Sequence, residues 1–113
     1  AGGALTVNAA SVDNTAGRLV SLNTDGLSLN ASAAITNAGG TTSDGAQGGV
    51  IGANGAVSLT AGTLTNRAQI TAGTDATLTA TTLDNANGSV TAGNALTAQV
   101  AGAMNNQHGA LSA

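Results

Sequence analysis

Eight of the 113 side chains are ionisable: Asp13, Asp25, Asp44, Asp75, Asp84, Arg18, Arg67 and His108. The pair best placed for acid–base work is Asp13 and Asp84, because both occupy the same position of an internal repeat. Three repeats separate them, about 14 Å at the stacking distance of parallel strands, beyond the carboxylate separations at which a glycosidic bond is cleaved. Cleavage of a polysaccharide would also need clustered acids and a basic residue in a groove, and the sequence supplies neither. The chain lacks Cys, and a lone imidazole at His108 does not make a zinc or iron–sulfur site. His108 reads most simply as a solvated turn residue. With a net charge of −3 and no aromatic ring, nothing can neutralise phosphates or stack on bases, which excludes nucleic acid as a partner. These residues point away from an enzyme and imply no cofactor and no small-molecule substrate.

The elements that position these side chains come from a short-period repeat. The sequence holds 25 Ala, 17 Thr, 17 Gly and 12 Asn, with no Lys, Glu, Cys or Pro. Leu, Ile and Val together number 21, near the lower limit for a packed core, yet the net charge is too small for a disordered chain. No apolar run approaches the roughly 20 residues of a membrane-spanning helix, and the first residues do not show the charged-then-apolar pattern of a signal. The clearest internal match sets Leu64-Thr-Asn-Arg-Ala-Gln-Ile-Thr-Ala-Gly73 beside Leu83-Asp-Asn-Ala-Asn-Gly-Ser-Val-Thr-Ala-Gly93. The frame recurs five times, marked by Asn14, Asn37, Asn66, Asn85 and Asn106 at steps of 23, 29, 19 and 21 residues. The long step contains a turn-rich insertion near residues 39–49. Either Val50 and Ile51 or Thr41 and Thr42 then fill the aliphatic slot taken elsewhere by Ile70 and Val90. Because the chain starts and stops inside the repeat, it reads as an excerpt of something longer.

Each unit carries three short runs in which apolar and polar residues alternate: a lead-in such as Val57-Ser-Leu59, a middle piece around Leu64 and a third around Ile70. Alternation is the strand period, and no window sustains helical spacing. Strands this short bury nothing alone, but stacked on the next unit they pair in parallel and place Leu over Leu. The expected fold is therefore all-β, a parallel, right-handed β-helix of about five turns, roughly 20 residues and three short strands per turn, spanning residues 1–113 as one unit. Its height is about 24 Å at that spacing. The predicted inward residues are Leu5, Val7, Val12, Leu19, Leu27, Leu29, Ile35, Val57, Leu59, Leu64, Ile70, Leu78, Leu83, Val90, Leu96, Met104 and Leu111, with Ala filling the corners.

Stacking turns each polar position into a column. The Asn column suits a tight corner, where Asn tolerates left-handed backbone and hydrogen-bonds to its stacked neighbours. A second column, Asp25-Gly26, Asn54-Gly55, Asp75-Ala76 and Asn94-Ala95, reads as Asx turns; the glycine- and aspartate-rich nonapeptide of calcium-binding repeats is absent. The outward lead-in face reads Thr6/Asn8, Ser28/Asn30, Ser58/Thr60, Thr77/Thr79 and Thr97/Gln99. Outward Thr is what a parallel sheet favours. The same array is also similar to the regular hydroxyl faces of ice-binding proteins, which makes a free-standing ice-binding β-solenoid the alternative reading.

The pattern Leu-x-Asn-x-x-Gly-x-Ile/Val-x-Ala-Gly at Leu64–Gly73 and Leu83–Gly93, with its alternating lead-in, resembles the filamentous haemagglutinin repeat of two-partner secretion exoproteins. The resemblance covers the whole chain, is strongest in Val57–Gly93, and weakens at the insertion and at Val100–Met104. It implies a Gram-negative secreted or surface protein exported through an outer-membrane two-partner secretion transporter. Its stalk would serve adhesion or contact-dependent inhibition by toxin delivery. The expected function is accordingly that of a structural stalk segment. Any contact with a host or target-cell surface receptor is expected at the one irregular stretch, through Thr41, Thr42, Ser43, Asp44 and Gln47, since loops concentrate recognition.

Overall fold

The runs of alternating Leu, Val and Thr form strands throughout, and no helix occurs among the described residues. The computed structural model describes residues 5–21, 26–41 and 47–113, including the side chains of all but residues 40, 41, 47 and 48. The strands are β1 (Leu5–Asp13), β2 (Arg18–Ser21), β3 (Leu27–Asn37), β4 (Gly40–Thr41), β5 (Gln47–Gly48), β6 (Val50–Ala53), β7 (Val57–Asn66), β8 (Gln69–Ala72), β9 (Asp75–Asp84), β10 (Ser89–Ala92), β11 (Ala95–Val100), β12 (Met104–Asn105) and β13 (Ala110–Ser112). They build two stacks, β1-β3-β7-β9-β11, with β12 also on β9, and β2-β6-β8-β10-β13. All pairs in both stacks are parallel. Every coil gives one strand or strand pair to each stack, so the chain is a parallel β-solenoid of five coils. Its register sets Leu5 on Leu27, Leu27 on Val57, Val57 on Ala76 and Ala76 on Leu96, coils of 22, 30, 19 and 20 residues.

The strand count per coil differs from the expected three. In β1, β3, β7 and β9 the lead-in and middle pieces run on as one strand that bends at a corner. The burial pattern of β7 shows how: Val57, Leu59 and Ala61 point in, Gly62 and Thr63 both face outward, and Leu64 and Asn66 point in again. Two consecutive outward residues shift the alternation and turn the chain without interrupting its pairing with β9. Three faces survive, two of them sharing a continuous strand. At this corner β3 carries one residue more than either neighbour, a bulge between Asn30 and Ala34. The fifth coil also needs an extra residue, Ala101 to Ala103 where the coil before has only Thr81 and Thr82, and there the strand breaks into β11 and β12.

The core consists of aliphatic columns. Leu29, Leu59 and Leu78 stack along one face, Ile35, Leu64 and Leu83 along the next, and Ile51, Ile70 and Val90 along the third, each at most 1% exposed. Each such side chain contributes about 1.5–3 kcal/mol by leaving water. Small residues take the corner positions, as expected: Ala31, Ala61 and Ala80 at one corner and Ala53, Ala72 and Ala92 at another are buried. Leu5, Val7, Val12, Leu19, Leu96 and Leu111 are partly buried against this core, because only one neighbouring coil covers each. Met104 departs from expectation. It is 45% exposed, since β12 is only two residues long and pairs on one side alone, with Leu83 and Asp84.

The insertion leaves both stacks intact. Leu19 lies on Ile51 and Ile51 on Ile70, so Ile51 fills the aliphatic slot and Thr41 and Thr42 do not. Among the described residues, strands β4 and β5 pair only with each other, antiparallel, with Gly40 opposite Gly48 and Thr41 opposite Gln47.

Candidate functional site

The five repeated Asn residues meet at one corner, where the middle piece ends and the chain turns toward the second stack. Their amides form a continuous ladder, buried from Asn14 to Asn85 and exposed at Asn106 in the last coil. Asn14 Nδ2 donates to Asn37 Oδ1 at 2.8 Å, Asn37 Nδ2 to Asn66 Oδ1 at 2.8 Å, Asn66 Nδ2 to Asn85 Oδ1 at 2.7 Å and Asn85 Nδ2 to Asn106 Oδ1 at 2.7 Å. The second proton of each reaches a backbone carbonyl of a neighbouring coil, for example that of Val50, Gln69, Ser89 or Ala110. Asn37, Asn66 and Asn85 are wholly buried, and no buried side-chain polar atom lacks a partner among the described residues. A buried amide with its donors and acceptor all satisfied is structural, and a ligand cannot reach it. The column is the spine of the fold.

The left-handed backbone expected at these Asn residues lies instead two residues further on, at Ala16 (φ 57°), Asn87 (φ 60°) and His108 (φ 57°). The ladder side chains must point inward and stack in register, so the reversal of chain direction falls on the exposed tip of the turn. The glycine that follows was visible in the repeat but its role was not. A Cβ on Gly88 would collide with the carbonyl oxygen of Asn66, and one on Gly109 with that of Asn85. The turn thus rests directly on the backbone of the preceding coil. The recurrence of Gly three residues after Asn14, Asn85 and Asn106 is the signal that could have revealed it.

The insertion springs from this same corner. Its far end is anchored by Gly49, at φ +80°, whose Cβ would strike the Ala38 carbonyl and the Ala68 methyl. Gly49 N donates to Gly17 O at 2.6 Å, and Gly49 O accepts from Asn37 Nδ2 at 2.9 Å and from Gln69 N at 3.0 Å. At the near end Ala38 O accepts from Ala16 N at 2.9 Å. Of the expected contact residues, Thr42, Ser43 and Asp44 lie outside the described residues, as do the side chains of Thr41 and Gln47.

The outward columns align as the repeat predicts. Thr6, Ser28, Ser58, Thr77 and Thr97 form one row, and Asn8, Asn30, Thr60, Thr79 and Gln99 the next. Asn30 Nδ2 donates to Asn8 Oδ1 at 3.0 Å, a second, exposed amide ladder at one end of the face. Only the fourth coil presents Thr at both positions, so the face is no uniform hydroxyl lattice.

Asp13 and Asp84 are separated in one column by Thr36 and Thr65, three strand spacings, and do not meet. Both close Asx turns. Asp13 accepts from the Thr15 hydroxyl at 2.6 Å and the Thr15 N–H at 3.0 Å, which together hold its carboxyl below an ordinary aspartate. Asp84 accepts from Ala86 N at 3.0 Å and pairs with Arg67 Nη2 at 2.8 Å. In the second turn column Asn94 Nδ2 donates to Asp75 Oδ1 at 2.9 Å; Asp25 lies outside the described residues. No group of three potential metal ligands occurs among the described residues.

No curated protein and no solved structure matches the chain. The family model for the haemagglutinin repeat matches residues 1–39, 29–97 and 53–113, three overlapping spans that together cover every residue. This is the repeat whose Asn ladder, glycine-packed turns and stacked aliphatic columns the structure displays, and the chain belongs to the haemagglutinin repeat family.

Proposed function

We propose that this chain is a structural stalk segment of a secreted or surface-exposed bacterial adhesin or toxin-delivery exoprotein, working in cell adhesion or cell–cell contact. The observation that carries this reading is the uninterrupted coil-to-coil stacking. The aliphatic columns and the amide ladder run through successive coils, so a coil is a unit that can be added without altering the others. Such a construction converts chain length into reach at about 4.8 Å per coil. The parent would cross the outer membrane through a two-partner secretion transporter as an unfolded chain and then fold by stacking. The absence of Pro and Cys suits that route, because neither prolyl isomerisation nor disulfide formation slows it. The proposed receptor, on a host or target cell, is met at the insertion through Thr41, Thr42, Ser43, Asp44 and Gln47.

Deletions in the parent protein test this. Removing residues 67–85, one whole coil, joins Asn66 to Ala86 in register and should leave secretion, surface display and adhesion in place. Removing residues 67–75 puts inward residues outside and should abolish display. Equal tolerance of both deletions would contradict a stacked stalk. An ice-recrystallisation assay on the purified chain separates the alternative: inhibition at micromolar concentration would favour an ice-binding face over a stalk.

A further inference from the structure

Most of the charged residues among those described are gathered along one edge of the rod. Of the six ionisable side chains among the described residues, Asp13, Arg18, Arg67, Asp84 and His108 all line the asparagine corner, and only Asp75 sits elsewhere. Both of the chain's cations are there, although the two lie 49 positions apart in sequence. Arg18 pairs with Val50 and Val50 with Gln69, two residues beyond Arg67. The two arginines therefore belong to coils two strand spacings apart, about 10 Å, and the coil between them is the one from which the insertion emerges. Gly49 binds Gly17, next to Arg18, on one side and Gln69 on the other. Arg18 is exposed, and the Arg67 side chain is 48% exposed while paired with Asp84. By contrast, the outward rows of the lead-in face hold only Thr, Ser, Asn and Gln.

Two independent irregularities, one of charge and one of backbone, thus coincide on one edge. Resting on the stalk reading above, we infer that this corner, from Asp13 and Arg18 to Arg67 and Asp84, is the edge by which the rod touches a protein partner. Both cations are Arg, whose planar fork takes carboxylates two bonds at a time. The acids interleaved with them repel a uniform polyanion, and the chain's net charge of −3 adds to that repulsion. No aromatic side chain exists to stack on a sugar, and the one large apolar side chain exposed among the described residues, Met104, belongs to the last coil, beyond the strip that ends at Asp84. A mixed-charge strip fits a folded protein surface carrying carboxylates with basic or amide groups beside them. Contacts of this kind set encounter rate and specificity and weaken with salt.

The test uses the 113-residue chain coupled to fluorescent beads, with intact epithelial cells and intact Gram-negative cells as probes. Each is used untreated, after surface proteolysis and after surface glycosidase treatment. The variant Arg18→Gln/Arg67→Gln should lower bead binding about tenfold at 50–150 mM salt, the order expected for two interfacial guanidinium contacts. Thr77→Ala/Thr79→Ala, on the lead-in face, should change it less than about twofold. Proteolysis of the cells should remove binding and glycosidase should spare it. Circular dichroism melts of both variants confirm that each remains folded. Loss with the lead-in variant but not the arginine variant, or loss after glycosidase alone, overturns the assignment while leaving the stalk reading standing. Failure of the unaltered chain to bind any probe removes this inference, and whole-coil deletion in the parent then decides the stalk reading separately.

Discussion

The sharpest energetic consequence of the fold falls on Asn66, at the middle of the ladder. Its Nδ2 donates to Asn85 Oδ1 at 2.7 Å and Ser89 O at 3.1 Å, and its Oδ1 accepts from Asn37 Nδ2 at 2.8 Å and Ala68 N at 3.3 Å. In Asn66→Ala, Asn37 keeps Gly49 O and Gln69 O as acceptors, whereas Asn85 Oδ1 loses its donor from the ladder inside the core. Several hydrogen bonds at about 0.5–1.5 kcal/mol each, with one buried acceptor stranded, give a loss of about 3–5 kcal/mol. Urea unfolding followed by circular dichroism measures it, with Thr60→Ala on the exposed face as control, expected within about 0.5 kcal/mol. Asn66→Asp adds a pH signature. The carboxylate offers no proton to Asn85 Oδ1 or Ser89 O, and burial raises its pKa in the folded state above that in the unfolded chain. The unfolded state then binds fewer protons across that window, so stability falls as pH rises through it and levels off above the folded pKa. A loss under about 1 kcal/mol for Asn66→Ala, or no pH dependence beyond wild type for Asn66→Asp, would refute the ladder as a stabilising spine.

Three further outcomes follow from the same geometry. Leu83→Asp, which places a charge between stacked coils, should cost more than about 4 kcal/mol or prevent folding, while Met104→Ser should cost under about 1 kcal/mol; thermal melts distinguish them, and similar losses would mean that the inward phase is misread. Gly88→Ala should destabilise by about 2 kcal/mol or more, because its methyl meets the Asn66 carbonyl. Gly39→Ala, which would touch only the Ala68 methyl at 3.9 Å, should be neutral or slightly stabilising. Asp13 should titrate below an ordinary aspartate by NMR, since hydrogen bonds from Thr15 favour the charged form. Its small contribution to stability is present above the unfolded pKa and lost as pH falls through the folded one, and Thr15→Ala should move its titration back up.

Much of this architecture was legible because a solenoid writes each column into the sequence at a fixed step. Leu59, Leu64 and Ile70 against Leu78, Leu83 and Val90 declare one alignment, and the outward rows of the lead-in face follow from it without exception. What escaped was the chain's behaviour at corners. The lead-in and middle pieces join because two outward residues, such as Gly62 and Thr63, bend a strand without ending it; alternation alone reads the same two residues as a break. Left-handed backbone falls on Ala16, Asn87 and His108 rather than on the ladder Asn, because inward stacking and chain reversal are assigned to different residues. Met104 has the spacing of a core residue, but a two-residue strand flanked by a longer corner cannot bury it. The gathering of both arginines at the insertion depends on stacking across 49 positions and has no local signature.

A distance measurement along the stack tests the central claim most directly. The register places Thr6, Ser28, Ser58, Thr77 and Thr97 in one exposed row, so Thr6 and Thr97 lie four strand spacings apart, about 19 Å. The chain has no Cys, and spin labels can be attached at Thr6→Cys and Thr97→Cys without background. Double electron–electron resonance should give a narrow distribution centred near 20 Å, allowing for the labels. A broad distribution extending beyond about 30 Å would mean that the coils do not stack in this register, and would contradict the solenoid and the stalk built from it.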